Sequence, residues 1–375
     1  MTTEFAAAAV SGDPVRLAER ALAALAPNPG ASLGIVYANE PAGAAFPDLV
    51  AALARGTGIE AWVGGVGLGV LSAAGEIYDE PALVVMTAAL PREAFRVFAT
   101  TGDPGSDIPR RHSQWIDAAQ PALALVHGDP RCPELPRAAV DLMAASGAFL
   151  VGGLLSHRSP SPLLARDAGG AGFGEAGLAG VMLSAQIPVA TALSQGCIPI
   201  GPVRRIDDAR DNIVMSIDGR PAFSVFLEDI GPEFAQNLRR AGGVIFAGLP
   251  VAGSDTGDYL VRNLMAVDPG RGWLVIGESV ALGDRILFCR RDPESARRDL
   301  ERMTSQLAKR LDGRPKAGIY VSCVARGANL FGESGVETAL IRDSLGDFPL
   351  IGFFANGEIS RDRLYGHTGV LTLFV

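Results

Sequence analysis

Ala317-Gly-Ile-Tyr-Val-Ser322, running straight into Cys323-Val-Ala-Arg326-Gly327, decides how the chain is read. The apolar run is short, partly β-branched and closed by a polar segment, so it reads as a buried strand ending at a site-like loop. Residues 336–343 then place apolar side chains at Val336, Ala339 and Leu340, with Ile341 less regular, which suits a helix with one face on a sheet. A second strand is expected over 348–354. Strand, helix and strand in succession make a right-handed crossover between parallel strands, whose C-terminal ends share one sheet edge. Arg326 and Glu358, the latter in Asn356-Gly357-Glu358, are therefore expected to face a common cleft. They would act there as ligand contacts or as an ion pair closing the strand ends.

The same order occurs twice more upstream. A helix over 13–25, with Asp13 as N-cap and Pro27 as breaker, leads into a strand over 32–37, a helix over 46–55 and strands over 61–66 and 82–87. A turn at Ala73-Ala-Gly75 separates the last two. Next come a strand over 122–127, a helix over 135–145 and strands over 149–154 and 178–184. The opening stretch is the third copy, closed by a strand over 369–374. Three copies at similar spacing predict an α/β fold of internally repeated β-α-β-β units, forming mixed sheets covered by helices.

Between the second and third copies the pattern turns to hairpins. Strands are expected over 212–217, 222–227, 260–267, 273–278 and 285–290, with turns such as Asp218-Gly219. Helices over 232–240 and 293–311 interrupt them. A boundary near 215–218 divides the chain into an N-terminal helix (1–29), a first domain (30–215) and a second domain (216–375).

Composition bounds the function. The chain has 375 residues, 48% hydrophobic and 20% charged, which supports large cores and argues against disorder. A net charge of −8 argues against a nucleic-acid partner or an anionic membrane surface. Lysine occurs only at Lys309 and Lys316, so lysine chemistry is confined to two positions. Cys132, Cys197, Cys289 and Cys323 lie far apart without C-x-x-C pairing, which signals neither a zinc site nor a disulfide framework. With no leader and no long apolar run, a soluble cytoplasmic protein is expected, without metal or cofactor.

Gly65-Val-Gly67-Leu-Gly69 invites a dinucleotide reading, but the fingerprint requires a helix next, and a strand and a turn follow here. No Walker lysine, H-E-x-x-H or G-x-S-x-G elbow occurs, so no catalytic residue is assigned. His127 and His157 follow successive strands of the second copy, and with Asp129 alone beside them they read as satisfied loop histidines rather than metal ligands. Cys197 and Cys323 are either buried structural thiols or nucleophiles activated by a lowered pKa.

Ser194-Gln-Gly-Cys197-Ile-Pro-Ile-Gly201-Pro202, followed by Asn212-Ile-Val and Asp218-Gly-Arg-Pro-Ala222, resembles the end of a FIST N domain running into a FIST C domain. Cys323-Val-Ala-Arg-Gly327, Phe331-Gly332, Pro349-Leu-Ile-Gly-Phe-Phe354, Asn356-Gly-Glu-Ile359 and His367-Thr368 are similar to the second domain's characteristic segments. The resemblance extends from about residue 30 to the C-terminus. It implies a sensory protein of intracellular signal transduction that binds a small polar ligand such as an amino acid. Cys323, Arg326, Gly327, Asn356, Gly357, Glu358, His367, Cys197 and Gly201 are the motif positions it nominates for ligand binding. The chain differs from multidomain members in leaving no room for a kinase, cyclase or receptor output domain, so a protein signalling partner is expected.

Two rivals remain. Threefold repeats of this order also build ring-opening amidohydrolases that use serine with lysine, so an amidohydrolase-like enzyme acting at the strand-end cleft is the alternative, with the scarcity of lysine against it. A purely structural or partner-binding protein would lack a concave polar pocket at that edge.

Overall fold

The computed structural model describes residues 4–100, 104–158, 163–167, 172–174, 177–251 and 258–375. The expected mixed α/β architecture is present. The chain divides into two compact units, one comprising Met1–Ser194, Leu300–Leu364 and Thr368–Val375, the other Gln195–Asp299 and Tyr365–His367.

The first unit contains three mixed sheets with the same central pairing. The strand Leu33–Asn39, the helix Phe46–Thr57 and the strand Ala61–Gly67 make a parallel pair, and Ala82–Ala88 runs antiparallel on the other side of the first strand. Pro121–Gly128, Leu135–Ser146, Phe149–Leu154 and Leu178–Ser184 repeat this arrangement. So do Ala317–Cys323, Val336–Leu345, Leu350–Ala355 and Thr368–Phe374. In each parallel pair a glycine sits at the same place: Gly64 opposite Val36, Gly152 opposite Val126, and Gly352 opposite Tyr320. A Cβ at any of the three would overlap the neighbour's carbonyl oxygen, so only glycine permits the approach.

These strands are buried on both faces, as parallel strands under helices must be. Their inward residues, among them Tyr37, Leu125, Val151, Val321 and Phe353, form one apolar cluster drawn from all three sheets. Each such large side chain contributes about 1.5–3 kcal/mol by leaving water. The helix Phe46–Thr57 shows how the outer faces are covered. It buries Phe46, Leu49, Val50 and Leu53 at three- and four-residue spacing, then stops on left-handed Gly58.

Two features depart from the sequence expectation. Phe5–Ser11 is a strand paired antiparallel with Ala82–Ala88, although its alanine run favours a helix; tertiary pairing overrides that weak propensity. The helix expected after it begins as a turn, Pro14–Arg16, capped by the Asp13 side chain, and continues over Leu17–Ala24. Around the expected turn at Ala73 lies a small hairpin, Val70–Ser72 with Gly75–Ile77. Its first strand leaves its own sheet and pairs with Leu350–Ala355, placing Ser72 opposite Ile351.

The second unit is built on antiparallel strands. Arg204–Arg210, Ile213–Ile217, Trp273–Ile276, Tyr259–Asp268, Ile245–Pro250 and Arg285–Arg291 pair in a closed ring. The strand expected over 222–227 is instead the start of the helix Ala222–Ala235. Its buried residues Ala222, Val225, Phe226, Ile230 and Phe234 follow helical spacing, which a short apolar run does not reveal by itself. The helix bends at Gly231-Pro232, where Gly231 takes a φ of 75°. The helix expected over 232–240 is therefore its last turn plus the short helix Leu238–Ala241.

Candidate functional site

The strand Ala317–Cys323 ends in a tight turn in which Arg326 donates its backbone N–H to the Cys323 carbonyl (2.8 Å). The turn folds the Arg326 side chain inward, where no part of it reaches solvent. Its Nε and Nη2 donate to Oε1 of Glu337 at 2.8 and 2.7 Å. Glu337 lies in the first turn of the helix Val336–Leu345, where the helix dipole favours an anion. It also accepts from the Tyr320 hydroxyl (2.6 Å), the Ser322 hydroxyl (2.8 Å) and the Gly327 backbone N–H (3.1 Å). Burial works against charge on Arg326, but Glu337 more than offsets it and the guanidinium pKa is raised.

The acid that pairs with Arg326 is thus Glu337 and not Glu358, which corrects the ion pair expected from the sequence. The reason lies in the backbone. After the strand Leu350–Ala355 the chain turns through Asn356 and Gly357 and hands Glu358 to the second sheet, where it lies opposite Gly153. Asn356 is exposed and donates its backbone N–H to the Leu154 carbonyl (3.0 Å), while the Gly357 carbonyl accepts from Leu154 (2.9 Å).

Glu358 is fully buried. Its Oε2 accepts from the Thr368 hydroxyl (2.7 Å) and backbone N–H (3.2 Å). Burial pushes its carboxyl pKa up to about 8, against the opposing pull of Thr368, the Arg326 charge and the Cys323 thiol. Cys323, Arg326 and Glu358 therefore act on one another in one buried region. Nη1 of Arg326 and Oε1 of Glu358, a donor and an acceptor, are buried there with no hydrogen-bond partner. Native interiors rarely leave such groups unmatched, because each costs about 1–3 kcal/mol.

Gly327 joins this interior to an open cleft. It takes a φ of 53°, and a Cβ there would strike the Tyr78 hydroxyl and the Phe354 ring, which stack with centroids 4.8 Å apart. Tyr78 and Phe354 line a cleft of about 490 Å3 together with Glu40, Leu68, Asp79, Arg158, Val324 and Asn329. Neither Arg326 nor Glu358 lines it, so the common open cleft expected for them is replaced by a buried setting. Sequence reading missed Glu337 and Tyr78. The signal available for Glu337 was an acid one residue into a helix that follows Gly335.

Cys197, Gly201 and His367 belong to the second unit. Cys197 is buried among Phe246, Tyr259, Val261, Leu287 and Cys289. The Cys289 thiol pKa is raised by its hydrogen bond to Cys197 and by burial, which suits structural thiols. His367 packs its ring on Phe246 at 4.2 Å, and Gly201 abuts Asp229, the partner of Arg204.

His127 is not a loop residue. It lies in the strand Pro121–Gly128, fully buried, with Nε2 2.9 Å from the Tyr37 hydroxyl, and burial lowers its pKa to about 3. Among the described residues no cluster of three His, Cys, Asp or Glu side chains is arranged to hold a metal. Lys309 and Lys316 are exposed, and Lys316 Nζ donates to the Val375 carbonyl (2.9 Å), so neither forms the serine–lysine pair of the hydrolase alternative. No helix among the described residues is long and apolar enough to cross a membrane.

Comparison with known proteins agrees with this anatomy. The model of the FIST N domain matches residues 32–220 and that of the FIST C domain residues 222–361. A protein of Mycobacterium tuberculosis, described as uncharacterized, is 31% identical over 342 residues, covering 88% of this chain and 87% of the relative. One from Mycobacterium bovis, described likewise, is 30% identical over 344 residues, covering 88% and 86%. FIST domains are sensory domains, which suggests a part in signal transduction. With both domain models matched in order over most of its length, the chain belongs to the FIST family.

Proposed function

We propose that the protein senses a small polar metabolite, an amino acid first, held by Arg326 and Glu358 and reported to a partner protein in the cytoplasm. The observation that carries this reading is the pair of unmatched polar atoms, Nη1 of Arg326 and Oε1 of Glu358, both buried. A guanidinium N–H suits a carboxylate, and a carboxylate oxygen suits an ammonium group; an amino-acid zwitterion supplies both. In this reading Cys323 and Gly327 shape the interior around those atoms. Asn356 and Gly357 fix the turn that aims Glu358.

The test is a thermal-shift screen of the purified protein over the amino acids and related acids, followed by calorimetry on any hit. A ligand that binds only the folded state at 100 times its Kd stabilises it by about 2.7 kcal/mol, a readily visible shift. Glu358→Gln keeps an acceptor for Thr368 and removes the carboxylate, so it should weaken binding at least tenfold while folding normally. Equal binding by wild type and Glu358→Gln would remove Glu358 from the site. Turnover of an amide or ester panel without any thermal shift would favour the hydrolase instead.

A further inference from the structure

The open cleft of about 490 Å3 beside Tyr78 takes no part in the ligand reading, and all of its lining belongs to the first unit. That lining comes from the C-terminal ends of parallel strands in all three repeats. Glu40 and Pro41 follow the strand Leu33–Asn39, and Leu68 follows Ala61–Gly67. Arg158 lies just past Phe149–Leu154, Val324 follows Ala317–Cys323, and Phe354 is in Leu350–Ala355. Strand ends of this kind are where α/β sheets bind small molecules, and the volume is in the range of such sites.

The walls are fixed by bonds between repeats. Leu68 donates its backbone N–H to the Ser156 hydroxyl (2.8 Å), which in turn donates to the Phe354 carbonyl, and the Phe354 N–H donates to the Gly69 carbonyl (3.0 Å). Arg158 donates its backbone N–H to Glu40 Oε1 (2.7 Å). Asn39 holds the segment that carries Asp79, donating its amide to the Tyr78 and Glu80 carbonyls at 3.0 and 2.6 Å. The cleft is therefore formed before anything enters it, which spares a ligand the cost of ordering its site.

The chemistry of the lining selects a cation. Its charged side chains are Glu40, Asp79 and Arg158. The Arg158 side chain is 81% exposed and its Nε lies 3.7 Å from Glu40, so the one positive charge is already met. Asp79 is exposed and, among the described residues, has no ion-pair partner. Next to it Tyr78, whose ring is stacked on Phe354, donates its hydroxyl to Glu76 Oε2 (2.9 Å). A phenol that donates to a carboxylate carries more electron density in its ring, and an electron-rich ring attracts a cation. A carboxylate beside such a ring suits an ammonium group on a short carbon chain.

We propose that the cleft binds a small organic cation of the amine class, its charge held by Asp79 and Glu40 and its carbon chain by Tyr78. This site is separate from the buried Arg326 and Glu358, and the proposal does not rest on their binding a ligand.

Isothermal titration calorimetry of the full-length protein with putrescine, agmatine and choline, and with glutarate as the anionic counterpart, tests this. At least one of the amines should bind and glutarate should not, with an affinity that falls as salt is raised. Asp79→Arg, a change at an exposed position, should abolish that binding with the melting temperature unaltered, whereas Asp79→Glu should retain it. Tyr78→Leu should weaken it several-fold, the melting temperature checking that the fold survives. Glu358→Gln should leave amine binding unchanged. Binding of none of the amines, or amine binding indifferent to Asp79→Arg, would overturn the proposal. Amine binding that is lost in Glu358→Gln and kept in Asp79→Arg would place the cation in the buried interior and overturn it equally.

Discussion

Arg326 and Glu337 lie 2.7 Å apart with their side chains 0% and 1% exposed, so the charge that the turn after Cys323 brings inside is matched by one that the next helix brings to meet it. The pair is the centre of a network in which Tyr320, Ser322 and the Gly327 backbone also donate to the same carboxylate. Replacing either partner leaves the other buried and unmatched. Arg326→Ala and Glu337→Ala should each lower stability by about 3–5 kcal/mol in urea unfolding. A loss below 1 kcal/mol would mean that water or rearrangement readily replaces the pair.

Glu358 should make stability depend on pH in the direction opposite to an ordinary surface carboxylate. Its folded pKa is raised to about 8, so the folded state binds its proton more tightly than the unfolded state. The contribution is complete below the unfolded carboxyl pKa of about 4.3 and is lost as pH rises towards 8. Comparing wild type with Glu358→Gln by urea unfolding between pH 4.5 and 8.5 should show the wild type losing on the order of a few kcal/mol relative to the variant. Parallel curves would show that Glu358 ionises normally.

The same titration bears on ligand binding. If an ammonium group meets Glu358, binding must release its proton, so affinity should rise as pH goes from 6 to 8 and level off above. Calorimetry in two buffers of different ionisation enthalpy would report close to one proton released per ligand at pH 7. No proton release would place the ammonium group elsewhere.

Gly327 has two reasons to be glycine, its φ of 53° and the Tyr78 and Phe354 side chains against its Cα. Gly327→Ala should cost about 1–3 kcal/mol from crowding and backbone strain together. Adding Tyr78→Phe, which removes the hydroxyl in the way, should recover part of that loss. Full additivity of the two changes would show that the contact is unimportant.

Much of the fold was legible because period and punctuation agreed. The strand over 317–322 and the helix after it each had an apolar pattern of one kind, bounded by turn residues, and they lie within a residue or two of expectation. Residues 222–227 failed because Ala-Phe-Ser-Val-Phe-Leu fits a strand and a helix equally, and packing in the second unit decided between them. In the site, topology put Arg326 and Glu358 at successive strand ends and predicted a common cleft; the Arg326 charge acts on Glu358, but both are buried and neither lines the cleft beside Tyr78. It could not say which acid Arg326 would hold. That choice depends on where Asn356 and Gly357 redirect the chain, and the sequence marks the turn without marking its direction.

The hairpin Val70–Ser72 and Gly75–Ile77 is made early and completed late. Its partner, Leu350–Ala355, is synthesised only after residues Gln195–Asp299 of the second unit, so the third sheet has one of the longest closures in the chain. Contacts of such high order slow folding, because the entropy of closing the intervening chain is spent before any pairing is gained. On the ribosome the edge of Val70–Ser72 stays open until the last strands emerge. Truncation before Leu350 would therefore leave Val70–Ser72 unpaired on that side as well as deleting the later strands themselves.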